Sequence, residues 1–236
     1  MGTGRSGISK GIKQGKNLSE FRMTARNVKD YNMQVAPRLK KNVPEEYLNR
    51  AFETFNEMAK ILGMDPNILP TVKVDFTTRS GIFGDCRMVS DWEKLNADAL
   101  IRLHPDMFSQ SNYDTFAHEY VHALEAWIIK TNLANDADRH NAWANDLYSE
   151  AMCRNALFKM GKNPGATLDK TVWKTEAATI KLNQYDTYAQ SAPSETLTRA
   201  VQSVLRFGNN ASPFAKHLVA ELKLEVTSLQ KKRKKQ

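Results

Sequence analysis

Apolar residues recur at intervals of three and four between residues 44 and 63, which is the spacing of one helical face. Pro44 and the acidic pair Glu45 and Glu46 suit the first turn of a helix, and Gly63 suits its end. The pattern therefore predicts an amphipathic helix over this segment. Its buried face would consist of Leu48, Ala51, Phe52, Phe55, Met58, Ala59 and Leu62.

The pattern then alternates between apolar and polar positions, which is typical of half-buried strands. Two strands are predicted within residues 71–78 and 97–104. Between them, Gly81 and Gly84 predict a turn that joins two further short strands. The inward faces of the two main strands would be Val72, Val74 and Phe76, and Ala99, Ile101 and Leu103.

Everything after Ser111 has helical periodicity. Ser111 and Asp114 form a capping-box pattern at the start of a helix that runs to about Lys130. Further helices are predicted over about 137–161, about 168–184, from Pro193 to just before Gly208, and from Ser212-Pro213 onward. One helix, a few strands and then several helices predict an α+β domain with a small, mostly antiparallel sheet.

The net charge of +8 is distributed unevenly along the 236 residues. Residues 1–41 hold ten Lys and Arg against two acidic residues, and residues 231–236 add five positive charges, so residues 42–230 carry −5. We therefore expect a basic N-terminal arm (1–41), a central domain (42–230) and a basic tail (231–236). The basic ends could contact nucleic acid nonspecifically, but the acidic centre argues against nucleic-acid binding as the main activity.

No run of 18 apolar residues is present, and the N-terminus lacks the apolar segment of a secretory signal. Neither contact with a membrane nor secretion through a signal peptide is therefore expected. Cys86 and Cys153 form neither a CxxC pair nor a disulfide framework, which fits the reducing cytoplasm.

The strongest chemical signal is the stretch "DTFAHEYVHALE" at residues 114–125. His118 and His122 are four residues apart, so on a helix both imidazoles face one side and can bind one metal ion. Glu119 would lie beside the open coordination position and act as the general base for a metal-activated water. This H-E-x-x-H pattern is typical of zinc peptidases and predicts one Zn²⁺ per chain and a protein or peptide substrate.

A third zinc ligand is needed. Glu125 and Ile128 occupy the positions where an H-x-x-G-x-x-H continuation would place glycine and the third histidine. A carboxylate on a later helix is therefore expected, and two glutamates are candidates. Glu195 lies near the start of a well-capped predicted helix, and Glu150 lies mid-helix among apolar residues. The residues by themselves leave both glutamates open.

A peptidase of this kind also gains from a hydrogen-bond donor to the negative oxygen that develops in the transition state. Tyr188, Tyr185 and His217 are candidates for this role.

Together, "TFAHEYVHALE" and the later "YAQSAPSETLTRAVQSVL" resemble the zincin-like metallopeptidase domains encoded by bacteriophages and mobile elements. The resemblance covers roughly residues 70–207, although Val121 stands where that family usually has glycine, and Thr198 where it has alanine. It implies a zincin-like fold and favours Glu195 as the third zinc ligand, with Glu150 as the alternative. It also implies a sheet-edge strand, here 97–104, above the metal helix. The residues that match the later motif are Pro193, Ser194, Glu195, Arg199 and Ala200.

The expected function is therefore that of a zinc-dependent endopeptidase encoded by a phage. It would act in the cytoplasm of a bacterial host or be packaged in a virion, where its basic ends could contact nucleic acid or virion proteins. The alternative is a non-enzymatic structural or packaged virion protein that retains a zincin fold.

Overall fold

A four-stranded mixed sheet and eight α-helices make up the part of the chain that the computed structural model describes. That part comprises residues 33–65, 68–69, 72–79, 83–88, 99–104, 106 and 112–233. The architecture is α+β and mostly helical, as the order of elements in the sequence predicts.

The elements are numbered along the chain. The strands are β1 (Met33–Val35), β2 (Val72–Phe76), β3 (Gly84–Met88) and β4 (Ala99–Leu103). The helices are α1 (Pro37–Asn42), α2 (Glu45–Leu62), α3 (Thr115–Asn132), α4 (Asp136–Ala144), α5 (Leu147–Lys159), α6 (Lys170–Ala177), α7 (Pro193–Phe207) and α8 (Pro213–Arg233).

The strand order in the sheet is β1-β2-β4-β3. β2 pairs in parallel with β1 and with β4, and only β3 and β4 pair antiparallel. The prediction of a mostly antiparallel sheet is therefore wrong. Between β1 and β2 the chain passes through α1 and α2, which supplies the long connection that a parallel pair requires.

The strand expected at the sheet edge, β4, lies inside the sheet between β2 and β3. Its partner β3 is the edge strand on that side, with Gly84 opposite Leu103. The expectation of an edge strand at 97–104 is therefore wrong. Apolar alternation identifies the buried face of a strand, but it does not say which strands are its neighbours.

Part of the segment expected to form a basic arm folds with the sheet. β1 pairs with β2, Met33 and Leu39 are buried, and the Arg38 guanidinium lies 2.5 Å from the Asp75 carboxylate. The folded region thus begins before the boundary expected at residue 41. The rest of that arm (1–32) and the end of the basic tail (234–236) lie outside the described residues.

Most of the predicted helices form where their patterns place them. α2 ends at Gly63, which adopts the left-handed conformation with φ 65°. The single helix predicted over 137–161 is instead two helices, α4 and α5, because Asp146 takes a positive φ of 52° between them. The helix predicted over 168–184 ends earlier, at Ala177.

Helix α3 lies in the interior of the described part of the protein. Fourteen of its 18 residues are buried, so it is covered on nearly all sides rather than along one stripe. β3 and β4 contact it, as do α2 and α7. Phe116 packs against Phe52 and Phe55 of α2, with ring centroids 5.1 and 5.4 Å apart. None of the helices that the structure describes is long and apolar enough to cross a membrane.

Candidate metal centre

Two histidines of α3 bring their rings to one place. The ring centroids of His118 and His122 are 5.2 Å apart, as expected for residues one helical turn apart. One donor atom from each of His118, Glu119 and His122 lies within 4.8 Å of the others. This cluster could bind a metal ion.

Glu195, in the first turn of α7, directs its carboxylate at both histidines. Its Oε2 lies 3.2 Å from His118 Nε2, and its Oε1 lies 3.6 Å from His122 Nε2. Donor atoms about 2.0–2.2 Å from a tetrahedral Zn²⁺ would be about 3.3 Å from one another. Both observed separations are close to that value, so two imidazole nitrogens and one carboxylate fit the donor set of a zinc site.

Local contacts fix the start of α7. Pro193 occupies its first turn, where a missing N–H leaves no hydrogen bond unmade. The buried Thr196 hydroxyl accepts a hydrogen bond from Trp173 Nε1 at 2.9 Å and donates one to the carbonyl oxygen of Ala189 at 2.5 Å. These contacts hold the turn that carries Glu195.

An ion pair joins α7 to the beginning of α3. Arg206 donates from Nε and Nη2 to the two oxygens of the Asp114 carboxylate, at 2.5 and 2.8 Å. In the structure Asp114 is itself the N-cap residue of α3 and makes no side-chain cap bond, and its carboxylate binds Arg206. The capping-box pattern instead predicts Ser111 as the cap, with Asp114 three residues later. Ser111, the other half of that pattern, lies outside the described residues.

The three donors influence one another's charge. Burial acts to raise the pKa of Glu195, but contact with the two histidines outweighs it and holds that pKa well below its usual range. Burial acts to lower the pKa of His122, but the Glu195 carboxylate outweighs it and raises that pKa to about 9. The pocket thus favours a negative carboxylate beside positive charge, which a metal cation could supply in place of a proton.

Glu119 lies next to the donors and is only 6% exposed. Burial raises its pKa, an effect that the nearby histidines partly offset. The edge strand β3 lies against this side chain, since a methyl group at Gly84 would be 3.0 Å from Glu119 Cγ. A buried carboxylate with a raised pKa is suited to general-base chemistry near neutral pH.

The structure brings Glu195, and not Glu150, to the histidines. The Glu150 carboxylate instead accepts a hydrogen bond from the Leu168 backbone N–H at 3.1 Å. No contact joins Glu150 to either histidine among the described residues.

Of the three candidate donors to the transition state, only Tyr188 reaches the centre. Its ring lies 6.1 Å from the His118 ring, and burial together with the Glu195 carboxylate raises its pKa to about 12. Tyr185 is 83% exposed on the same loop. His217 lies on α8 and, within the part of the chain described, makes no contact with the histidines.

Two polar residues of α7 also face the centre, and the sequence interpretation assigned neither a role. Arg199 and Gln202 lie four and seven residues beyond Glu195, which puts all three on one helical face. Gln202 Oε1 lies 3.1 Å from His118 Nδ1, and Arg199 binds the same oxygen. The spacing from Glu195 is a signal in the sequence that could have identified both.

No family model, curated protein or solved structure matches this chain. The resemblance to phage zincin-like domains therefore stays a prediction that depends on the motif residues.

Proposed function

We propose that the protein is a zinc-dependent endopeptidase. The observation that carries the proposal is the convergence of His118, His122 and Glu195 at separations that fit tetrahedral zinc, with Glu119 beside them. His118, His122 and Glu195 would hold the metal. When bound, zinc would polarise the carbonyl of a peptide bond and make a water molecule more acidic.

Glu119 has the position and the environment of the base. Its buried carboxylate would accept a proton from the attacking water and then transfer that proton to the leaving amine. Its raised pKa favours this shuttle, because the proton is released less readily to solvent than from an ordinary glutamate. The donor that would stabilise the developing negative oxygen is Tyr188, whose hydroxyl stays protonated at neutral pH.

The same observations support a zincin-like arrangement. β3 is an edge strand, lies antiparallel to β4 and packs against the helix that holds the two histidines. Its outer edge would be available to an extended peptide, as in the zinc peptidases that the sequence resembles. A phage origin, a virion or host-cytoplasm location, and contacts through the basic ends remain predictions.

Three measurements test the proposal. Purified protein should contain about one zinc per chain by elemental analysis, and His118→Ala should lose it. Glu119→Gln should keep the metal but lose cleavage of a fluorogenic peptide library, because the amide cannot accept the proton. Glu195→Ala should lower zinc affinity, and Glu150→Ala is the matched control that should not.

The outcomes separate the alternatives. Absence of bound metal from the wild-type protein would exclude the zinc enzyme. Bound zinc without cleavage of any peptide would favour the packaged or structural protein that retains the fold. Undiminished cleavage by Glu119→Gln would exclude Glu119 as the base, and equal effects of the two glutamate variants would exclude Glu195 as the third ligand.

A further inference from the structure

Gln202 makes three polar contacts although only 3% of it is exposed. Its Oε1 lies 3.1 Å from His118 Nδ1 and accepts a hydrogen bond from Arg199 Nη1 at 2.9 Å. Its Nε2 lies 3.4 Å from the backbone carbonyl oxygen of Asp114, to which it donates. Both the oxygen and the nitrogen of its amide therefore have polar partners.

Two of those groups can play only one role. A guanidinium only donates, and a backbone carbonyl only accepts. The Gln202 amide therefore has one favourable orientation, with Oε1 toward Arg199 and Nε2 toward Asp114. Since Oε1 can only accept, His118 must donate to it through Nδ1–H. A neutral imidazole has a single ring proton, so Nε2 keeps its lone pair.

That nitrogen, His118 Nε2, is the one that faces Glu195. We propose that Gln202 is a positioning residue that holds His118 in the tautomer able to bind zinc through Nε2, and that Arg199 sets the orientation of the Gln202 amide. The proposal rests on the zinc site of the proposed function. It assigns roles to two residues that lie outside the set of metal ligands.

Arg199 also lies beside an acidic group and an aromatic ring. Its Nε lies 3.8 Å from Asp186 Oδ2, and its guanidinium carbon lies 4.9 Å from the centre of the Tyr188 ring. Asp186 in turn accepts hydrogen bonds from the backbone N–H groups of Leu182 and Tyr188, which orders the loop beside the centre. The guanidinium is thus attracted to Asp186 and to the Tyr188 ring in addition to its hydrogen bond to Gln202, although its Nε makes no hydrogen bond within the described residues.

A purely electrostatic role for Arg199 predicts the opposite result. A fixed positive charge near a cation site weakens binding, so removal of that charge would strengthen zinc binding. If Arg199 instead orients Gln202, its removal leaves only the long 3.4 Å contact with the Asp114 carbonyl to orient the amide, so the amide can turn over more easily. The amide would then donate to His118 Nδ1, place the ring proton on Nε2 and weaken zinc binding. The sign of the change therefore distinguishes the two roles.

The test is zinc affinity, measured by competition with a chromophoric chelator. Gln202→Met, whose thioether is only a weak hydrogen-bond acceptor, should lower affinity about 10- to 100-fold. Gln202→Glu should bind zinc at least as tightly as wild type, because a carboxylate still accepts from His118. Arg199→Met should lower affinity with Gln202 present but not in the Gln202→Glu background, because a carboxylate has no wrong orientation. Val226→Ala, a buried substitution on α8, controls for general loss of stability.

A second measurement needs no variant. Two-bond ¹H–¹⁵N spectra of the zinc-loaded wild-type protein should show His118 protonated at Nδ1 and bound to metal through Nε2. Binding through Nδ1 would overturn the inference while leaving the metal site intact. So would wild-type affinity in Gln202→Met, or tighter binding in Arg199→Met. If the wild-type protein binds no zinc, the proposed function and this inference fall together.

Discussion

The ion pair between Asp114 and Arg206 should be an energetic link between the two halves of the candidate centre. Asp114 precedes α3, which supplies the histidines, and Arg206 lies in α7, which supplies Glu195. We predict that a double-mutant cycle with Asp114→Asn and Arg206→Met will give a coupling free energy of about 2 kcal/mol.

The magnitude follows from burial and geometry. The side chain of Asp114 is 8% exposed and that of Arg206 is 25% exposed. Fully exposed pairs contribute roughly 0.2–1 kcal/mol, whereas truncating one partner of a buried pair costs about 3–5 kcal/mol. A two-pronged contact at 2.5 and 2.8 Å with one partner partly in solvent should fall between these ranges.

Urea unfolding of the wild type, the two single variants and the double variant measures this coupling. The matched control is Asp136 with Arg139 on α4, which are 2.7 Å apart but have Asp136 60% exposed. Its coupling should be below about 0.5 kcal/mol. Because Asp114 makes no side-chain cap bond, loss of a cap does not enter the comparison.

A coupling of Asp114 with Arg206 that does not exceed that of the control would refute an energetic link between the two helices. In that case apolar packing alone would hold α7 against α3. Zinc affinity should then also be unchanged in Arg206→Met, since the donors would meet without the ion pair.

Three further predictions concern the surroundings of the centre and the metal itself. Burial raises the pKa of Glu125 above 4.5, so ionisation of this carboxyl group opposes folding. Glu125→Gln keeps an acceptor for Ser149 but cannot ionise. Its free energy of unfolding, measured with urea, should therefore increase relative to wild type as the pH rises above 4.5. Gly84→Ala should leave zinc content unchanged but lower the cleavage rate roughly tenfold, because the new methyl group displaces the Glu119 side chain. Chelation of zinc should lower the unfolding free energy by about 2.7 kcal/mol relative to protein in free zinc at one hundred times its dissociation constant.

Each of these has an outcome that contradicts it. A constant stability difference between Glu125→Gln and wild type across pH 4 to 8 would mean that Glu125 does not titrate differently on folding. If Gly84→Ala loses zinc along with activity, the displacement reaches the ligands and not only the base. If unfolding is insensitive to chelator, the metal does not bind the folded state preferentially.

The sequence predicts those features of the fold that depend on residues close together in the chain, and it does not predict those that depend on contacts between distant segments. Helix α2 and the starts of α7 and α8 follow from local signals, namely helical apolar spacing, an early proline and a terminal glycine. The break at Asp146 does not, because nothing local in that residue type requires a positive φ. The strand order does not either, since it depends on pairing between distant segments.

The same distinction applies to the candidate centre. His118, Glu119 and His122 are close in sequence, so helical geometry alone brings them together. The sequence interpretation leaves Glu195 and Glu150 both open, because both lie on helices and the choice depends on how those helices pack. Their environments differ only in the folded chain, where one carboxylate faces the histidines and the other accepts a backbone hydrogen bond.

The packing of α3 explains why the centre is built from two helices. A helix buried on nearly every side can offer only a few polar side chains without leaving unpaired groups in the core. His118, His122 and Glu125 each have a partner on a neighbouring element. Glu195 and Gln202 of α7 face His118, and Ser149 of α5 donates to Glu125. Because those partners arrive only when α7 and α5 dock, formation of the donor set and formation of the tertiary core are one cooperative event, and an isolated α3 would contain the motif without the centre.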